Sequence, residues 1–234
     1  MTNAVDTVFA KVKSPYRLRD LKLSEVAVTA DVELSKEQKV DQYYSVIHQA
    51  FVPHQYMEDQ YPAEVPDNYF VYCQRSETTS FYAHAWRDST LRLQLDLCYR
   101  AILRKVGEET LKSHYKTLVQ LSRQINKMMV NHLKRMKLLS DSYVSYDKAV
   151  KAIDGVKNKD TRKQMKYLLK KTRDLGSLLW GIDKLKKHYG LSKKQANRVI
   201  KRFTKLGISP ATVQKGKKKR LPGLGVLLKN NIKK

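Results

Sequence analysis

The sequence predicts a mainly α fold with a small α+β part at its N-terminus and a C-terminal helical domain of helix-turn-helix type. Three observations carry that expectation. Apolar residues recur at helical spacing through most of residues 99–205, whereas period-two alternation is confined to short stretches before them. The charge divides near the same place: residues 1–99 hold 10 Lys plus Arg against 14 Asp plus Glu, a net of −4, and residues 100–234 hold 37 against 8, a net of +29. Within the basic part, Trp180–Ile208 reads as two short helices around a glycine turn.

At 234 residues the chain has room for one large core or two modest domains. A net charge of +25 predicts an anionic partner, nucleic acid or an acidic membrane surface, with a merely solvated charged face as the plain alternative. An ordinary solvated surface mixes both signs, so the gathering of positive charge in one part favours nucleic acid. Cys73 and Cys98 have no partners at metal-ligand spacing, which fits a reducing cytoplasm. No stretch is long and apolar enough to span a bilayer, and no signal peptide is evident. The expected setting is cytoplasmic and nucleoid-associated, with no membrane partner.

Residues 1–89 form the acidic, tyrosine-rich α+β domain. Val8, Val12 and Val26–Val28 suggest short strands or arms. Ser35 with Gln38 resembles a capping box that opens a helix, whose inner face is Val40, Tyr43, Tyr44 and Ile47. Pro53 ends it, and Pro53, Pro62 and Pro66 mark an irregular segment. Tyr69–Cys73 and Ser80–Ala83 read as strands. The acidity argues against a nucleic-acid surface, so the expected role is dimerisation or contact with a protein such as RNA polymerase.

Residues 90–140 are expected to oligomerise and offer a second DNA reader. Leu91, Leu93, Leu95 and Leu97 alternate with Arg92, Gln94 and Asp96, as in a half-buried strand. A helix through Tyr99, Ile102 and Val106 stops at Gly107. A long one follows from Glu108 to Leu139, its seam running Leu111, Tyr115, Leu118, Ser122, Ile125, Met129, His132, Met136. Strand, helix, glycine turn, helix over 90–135 is the order of a ribbon-helix-helix unit. In that arrangement two chains pair their strands, and Arg92 and Gln94 would read bases in the major groove. An amphipathic edge strand of an α+β domain explains the same alternation. A homodimer is expected, since two-fold DNA sites reward one.

Asp141–Tyr146 is polar and reads as a linker into the basic helical domain, 147–209. Its support helix is Thr161–Leu179, with Met165, Leu168, Leu169, Thr172 and Leu175 inward. Ile182, Leu185 and Tyr189 line the next helix, Gly190-Leu191 breaks the run, and Ser192 is placed to cap the last. Ala196, Val199, Ile200 and Phe203 give that helix its buried face, and Gly207 ends it. Gln195, Asn197 and Arg198 have the planar donors that read adenine and guanine edges. Ser192, Lys193, Lys194, Lys201, Arg202 and Lys205 suit phosphate contacts that set register. Residues 210–234 read as a flexible basic tail, with Lys217, Lys218, Lys219 and Arg220 on phosphates.

Over fewer than 30 residues this unit resembles generic bacterial and phage helix-turn-helix domains. It departs from them at Lys186, four residues before Gly190, where a small alanine commonly lets the helices approach. The resemblance implies duplex-DNA recognition by the second helix.

Catalytic patterns are sparse. The chain has no GxxxxGK[ST] phosphate loop, no HExxH and no CxxC. His132 and Arg135 match the HxxR spacing of tyrosine recombinases, but Tyr143 and Tyr146 follow too closely. The eight carboxylates of the basic part are scattered, unlike a metal-nuclease site. The expectation is therefore a non-enzymatic protein without metal or cofactor, binding double-stranded DNA sequence-specifically as a transcriptional regulator. Two alternatives use the same features: a plasmid or phage replication initiator, and an RNA-binding or ribonucleoprotein scaffold.

Overall fold

The computed structural model describes residues 23–35, 40–51, 57–58, 71–87, 89–213 and 220–232. Their centre is an antiparallel sheet in which β5 (Thr90–Cys98) is the spine. It pairs on one side with β1 (Glu25–Glu33), from Glu25↔Cys98 to Glu33↔Thr90, and on the other with β4 (Thr79–Arg87). Then follow β3 (Val71–Arg75) and β2 (Met57–Glu58), in the order β1-β5-β4-β3-β2. The leucine alternation sets the two faces: Leu91, Leu93, Leu95 and Leu97 are buried with Val28, Val32, Phe81 and Ala83, while Arg92, Gln94 and Asp96 face away.

Helices close over the buried face. They include α1 (Val40–Ile47), α2 (Tyr99–Val106) and α5 (Ile125–Arg135), which contribute Tyr43, Ile47, Ile102, Met129 and Leu133 to one core. Between α2 and α5 lie α3 (Glu108–Leu111) and α4 (His114–Ser122). The expected continuous helix over 108–139 is thus three pieces. Ser113 caps α4 by accepting from the Lys116 amide, and Gln124 precedes α5 with its own amide turned back to Leu121. The expected seam is divided too. Tyr115 and Leu118 stay exposed, whereas Met129, His132 and Met136 are buried in this chain's own core and unavailable to a partner helix.

The ribbon-helix-helix expectation needs a strand with a free edge for a second chain. β5 has none, because β1 and β4 occupy both of its hydrogen-bonding edges.

Asp141–Tyr146 also departs from the linker reading. It contains β6 (Ser142–Val144), all three residues buried. From β6 the chain enters a four-helix unit, α6 (Tyr146–Asp154), α7 (Lys159–Leu175), α8 (Leu178–Tyr189) and α9 (Lys193–Lys205), with its own core of Met165, Leu168, Leu185, Val199 and Phe203. α7 and α8 meet closely at Gly181, where a Cβ would lie 2.7 Å from Thr172 Oγ1.

The chain then returns. Ile208 bridges Ser142 and Val213 bridges Ser145, and β7 (Arg220–Pro222) pairs antiparallel with β6. α10 (Leu224–Ile232) packs back onto β1. Ala211, Val213, Leu221, Leu224 and Leu228 are buried in the first core. The expected flexible tail from residue 210 is therefore, in its described residues, part of the first body; 214–219, with Lys217, Lys218 and Lys219, and 233–234 lie outside them. Its apolar spacing and a backbone contact explain the docking. A Cβ on Gly223 would overlap the Ser140 carbonyl oxygen, and the Gly223 amide donates to Asp141 O at 2.8 Å. The Tyr43 hydroxyl donates to the Pro222 carbonyl at 3.2 Å.

The helical unit is thus inserted into the first body; the bond from Leu178 to Gln49 crosses between them, and bonds around Gln49 and Phe51 order the first body beside it. The Leu178 amide donates to Gln49 O, and the Phe51 amide to Met136 O. The Gln49 side chain donates to Thr212 O at 2.9 Å and accepts from the Thr212 amide at 3.1 Å.

Candidate nucleic-acid interface

α9 has a continuous apolar stripe, Ala196, Val199, Ile200 and Phe203, which fixes it on the helical core. Its start is locally determined. Ser192 Oγ accepts from the Gln195 amide at 3.3 Å, and Gln195 Oε1 accepts from the Ser192 amide at 2.8 Å. Gly190, at φ 61°, ends α8 and leaves a three-residue turn before α9. The capping box has a functional cost: the Gln195 carbonyl oxygen is engaged at the helix end and is not free to read a base.

The remaining surface of α9 divides into two sides. On one, Lys193, Lys194, Asn197, Arg198, Lys201 and Thr204 border a cleft of about 930 Å³. Its opposite wall is α5 and the loop after it, with Val130, Asn131, Lys134 and Lys137, and its apolar floor includes Leu139, Ile208 and Pro210. On the other side, Arg202 and Lys205 share a smaller groove of about 340 Å³ with Lys157, Asn158 and Thr161. The expected phosphate residues are therefore split across α9, while Asn197 and Arg198 share the larger cleft.

Six cations, Lys134, Lys137, Lys193, Lys194, Arg198 and Lys201, border that cleft. Among the described residues none of the six is in an ion pair. Lys137 is the most constrained. It is the only non-glycine residue with a left-handed φ, 59°, among the described residues. It occupies the position that follows the end of α5: its amide donates to Lys134 O at 3.1 Å, and the Leu138 amide donates to Leu133 O at 2.9 Å. Glycine is the usual occupant of such a turn, and a side chain there costs about 1 kcal/mol. The Lys137 ammonium lies 5.9 Å from the Phe51 ring centroid. Burial, then Lys134, Lys201 and Lys193, hold its pKa below the usual lysine value.

The second expected reader is not brought to this site. Arg92 and Gln94 lie on the sheet face opposite the one covered by α5. Arg92 Nε and Nη2 donate to Asp31 Oδ1 and Oδ2 at 2.6 and 2.7 Å, and Gln94 Nε2 donates to Asp96 Oδ1 at 2.8 Å. A guanidinium held bidentate by a cross-strand carboxylate has its reading donors satisfied. Arg220 is exposed on β7.

The residues behind the HxxR match are core residues. His132 is 5% exposed and stacks on Phe81 at 4.7 Å. Tyr143 is fully buried, its hydroxyl donating to Leu138 O at 2.6 Å. Among the described residues no group of His, Cys, Asp and Glu side chains is assembled to hold a metal ion, and no helix is long and apolar enough to cross a membrane.

Sequence reasoning missed the α5 wall. Lys134 and Lys137 fall inside the continuous helix expected over 108–139, where they look like ordinary solvated charges. The available signal was the basic run Lys134-Arg135-Met136-Lys137 followed by Leu138-Leu139, which is where α5 ends.

No protein-family model, no curated protein and no solved structure matches this chain.

Proposed function

We propose that the chain is a sequence-specific double-stranded DNA-binding protein that acts by binding rather than by catalysis, as a transcriptional regulator. The observation that carries this reading is the setting of α9. One face is anchored to a core, the rest is mostly cationic with Gln195, Asn197 and Thr204 among the charges, and a basic groove flanks it on each side. A helix lying in a major groove meets the phosphates of both strands, one on either side, and that arrangement suits these two grooves. In this reading α8 and α9 form a helix-turn-helix pair. Arg198 and Asn197 read base edges. Lys193, Lys194 and Lys201 contact one strand, and Arg202 and Lys205 the other. If the protein binds a two-fold site as a homodimer, the second copy docks somewhere other than the Met129–Met136 seam.

The test is selection of bound duplexes from a random pool at near-physiological salt, with the wild-type chain and with Arg198→Ala. The expected result is an enriched motif for the wild type, with one or two positions relaxed in Arg198→Ala and non-specific affinity reduced far less. Loss of one bidentate base contact should lower preference for the selected site roughly tenfold or more. No enriched motif with the wild-type chain overturns the reading.

A further inference from the structure

The cleft between α5 and α9 has a design that neither the stability of the fold nor the reading role of α9 explains. Its α5 wall comes from the first body and its α9 wall from the inserted unit, so it forms only when both are in place. Lys137 enters it from the turn where glycine would be the relaxed choice, half-buried beside Phe51. Lys134, Lys193 and Lys201 are close enough to depress its protonation, and no ion pair among the described residues offsets any of them. Like charges gathered in a partly desolvated recess destabilise an empty site and are relieved by an anion. The size indicates which anion. About 930 Å³ far exceeds one phosphate, the recess is partly open to solvent, and the cations stand on both walls. That suits a run of phosphodiesters.

We infer that the cleft between α5 and α9 seats the sugar–phosphate backbone of one nucleic-acid strand, with Lys137 as its innermost phosphate ligand. The inference deepens the proposed function: it rests on the α9 reading for the identity of the strand, which is the one bordering the groove α9 enters. It adds the α5 wall, and so the first body, to the binding surface.

The left-handed position of Lys137 allows a clean test. Lys137→Gly removes the ammonium and relaxes the turn, so it should leave the melting temperature equal or higher. Binding of the full chain to a labelled duplex of random sequence should nonetheless weaken about five- to tenfold near physiological salt. The slope of log K against log salt should fall by about 1, as for the loss of one phosphate contact. Lys163→Gln, which removes a charge from the exposed surface of α7 outside both grooves, should leave that slope unchanged. If Lys137→Gly also lowers the melting temperature, Lys137→Gln decides, because it keeps the side-chain stem on Phe51 without the charge. Weakened binding by Lys137→Gln supports the inference. Wild-type affinity and salt slope in Lys137→Gln, or in a Lys137→Gly chain that melts normally, overturn it. The two readings fail separately. A wild-type chain that selects no motif yet loses salt slope with Lys137 keeps the cleft and loses the α9 reader. A chain that selects a motif and is indifferent to Lys137 keeps the reader and loses the cleft.

Discussion

His132 shows how a residue type associated with chemistry can serve packing and still leave a measurable signature. It is buried against Phe81, and desolvation, helped by Arg135, pulls its pKa down to about 4 from the ordinary 6.5. The folded chain therefore holds a neutral imidazole over a range where the unfolded chain takes up a proton. Stability from this residue is complete above pH 6.5 and is lost as the pH falls through the window from 6.5 to about 4. The whole window is worth about 3 kcal/mol. Denaturant unfolding at pH 7 and pH 4.5 should show a larger loss for the wild type than for His132→Phe, which retains an aromatic ring on Phe81. His48 and His84 are also held below the usual histidine value by burial, and both remain in the variant, so they drop out of the difference. Equal losses in the two proteins would show that His132 does not titrate across this range.

Among the elements, the α7–α8 contact makes the sharpest prediction. Gly181→Ala would put a Cβ 2.7 Å from Thr172 Oγ1 and 3.1 Å from its backbone nitrogen. Backbone cannot move aside as a side-chain tip can, so the helices must separate. The expected loss is about 1–3 kcal/mol by thermal denaturation. Lys186→Ala, at the position where the resembled helix-turn-helix domains carry alanine, should change stability by only about 0.5 kcal/mol, since Lys186 is half-exposed and pairs with Asp183 at 2.7 Å. The reverse ranking would put the critical approach at Lys186. This contrast also indicates what was legible beforehand. The ends of α8 and α9 were readable because their signals are local: Gly190, the Ser192–Gln195 box and the apolar stripe sit within a few residues of what they determine. The strand at 90–98 was readable from its leucines. Its place inside the sheet was not, because Asp31 lies 61 residues from the Arg92 it neutralises. The breaks at Ser113 and Gln124 were hidden by a heptad-like spacing that continues across them. That same continuity concealed the end of α5, and with it Lys137.

At the scale of the whole molecule, the return of residues 211–213 and 220–228 decides what can be removed. A basic stretch rich in Lys and Gly invites trimming, yet Leu221, Leu224 and Leu228 are at most 5% exposed within the first core. Burying three leucines contributes roughly 5–9 kcal/mol, comparable to the entire stability of an average domain. A chain cut after Ser209 is therefore expected to lose its cooperative melt, with the exposed face of β1 promoting aggregation. The inserted unit presents the opposite case. It leaves and rejoins the first body at adjacent points, since Ile208 bridges Ser142 and Val213 bridges Ser145, and it carries a core of its own. Replacing residues 147–207 with a short Gly-Ser linker should leave a body that still melts cooperatively, at a lower temperature because the Gln49–Leu178 bond and the cover over Phe51 are gone. That shortened chain retains Lys134 and Lys137 but has no α9, so its affinity for a random duplex should fall far below that of the full chain. Calorimetry and a salt titration on the two deletions measure both effects. Cooperative melting of the chain cut after Ser209 would mean the returning segment is a passenger, and undiminished duplex binding by the linker chain would place the interface outside α9.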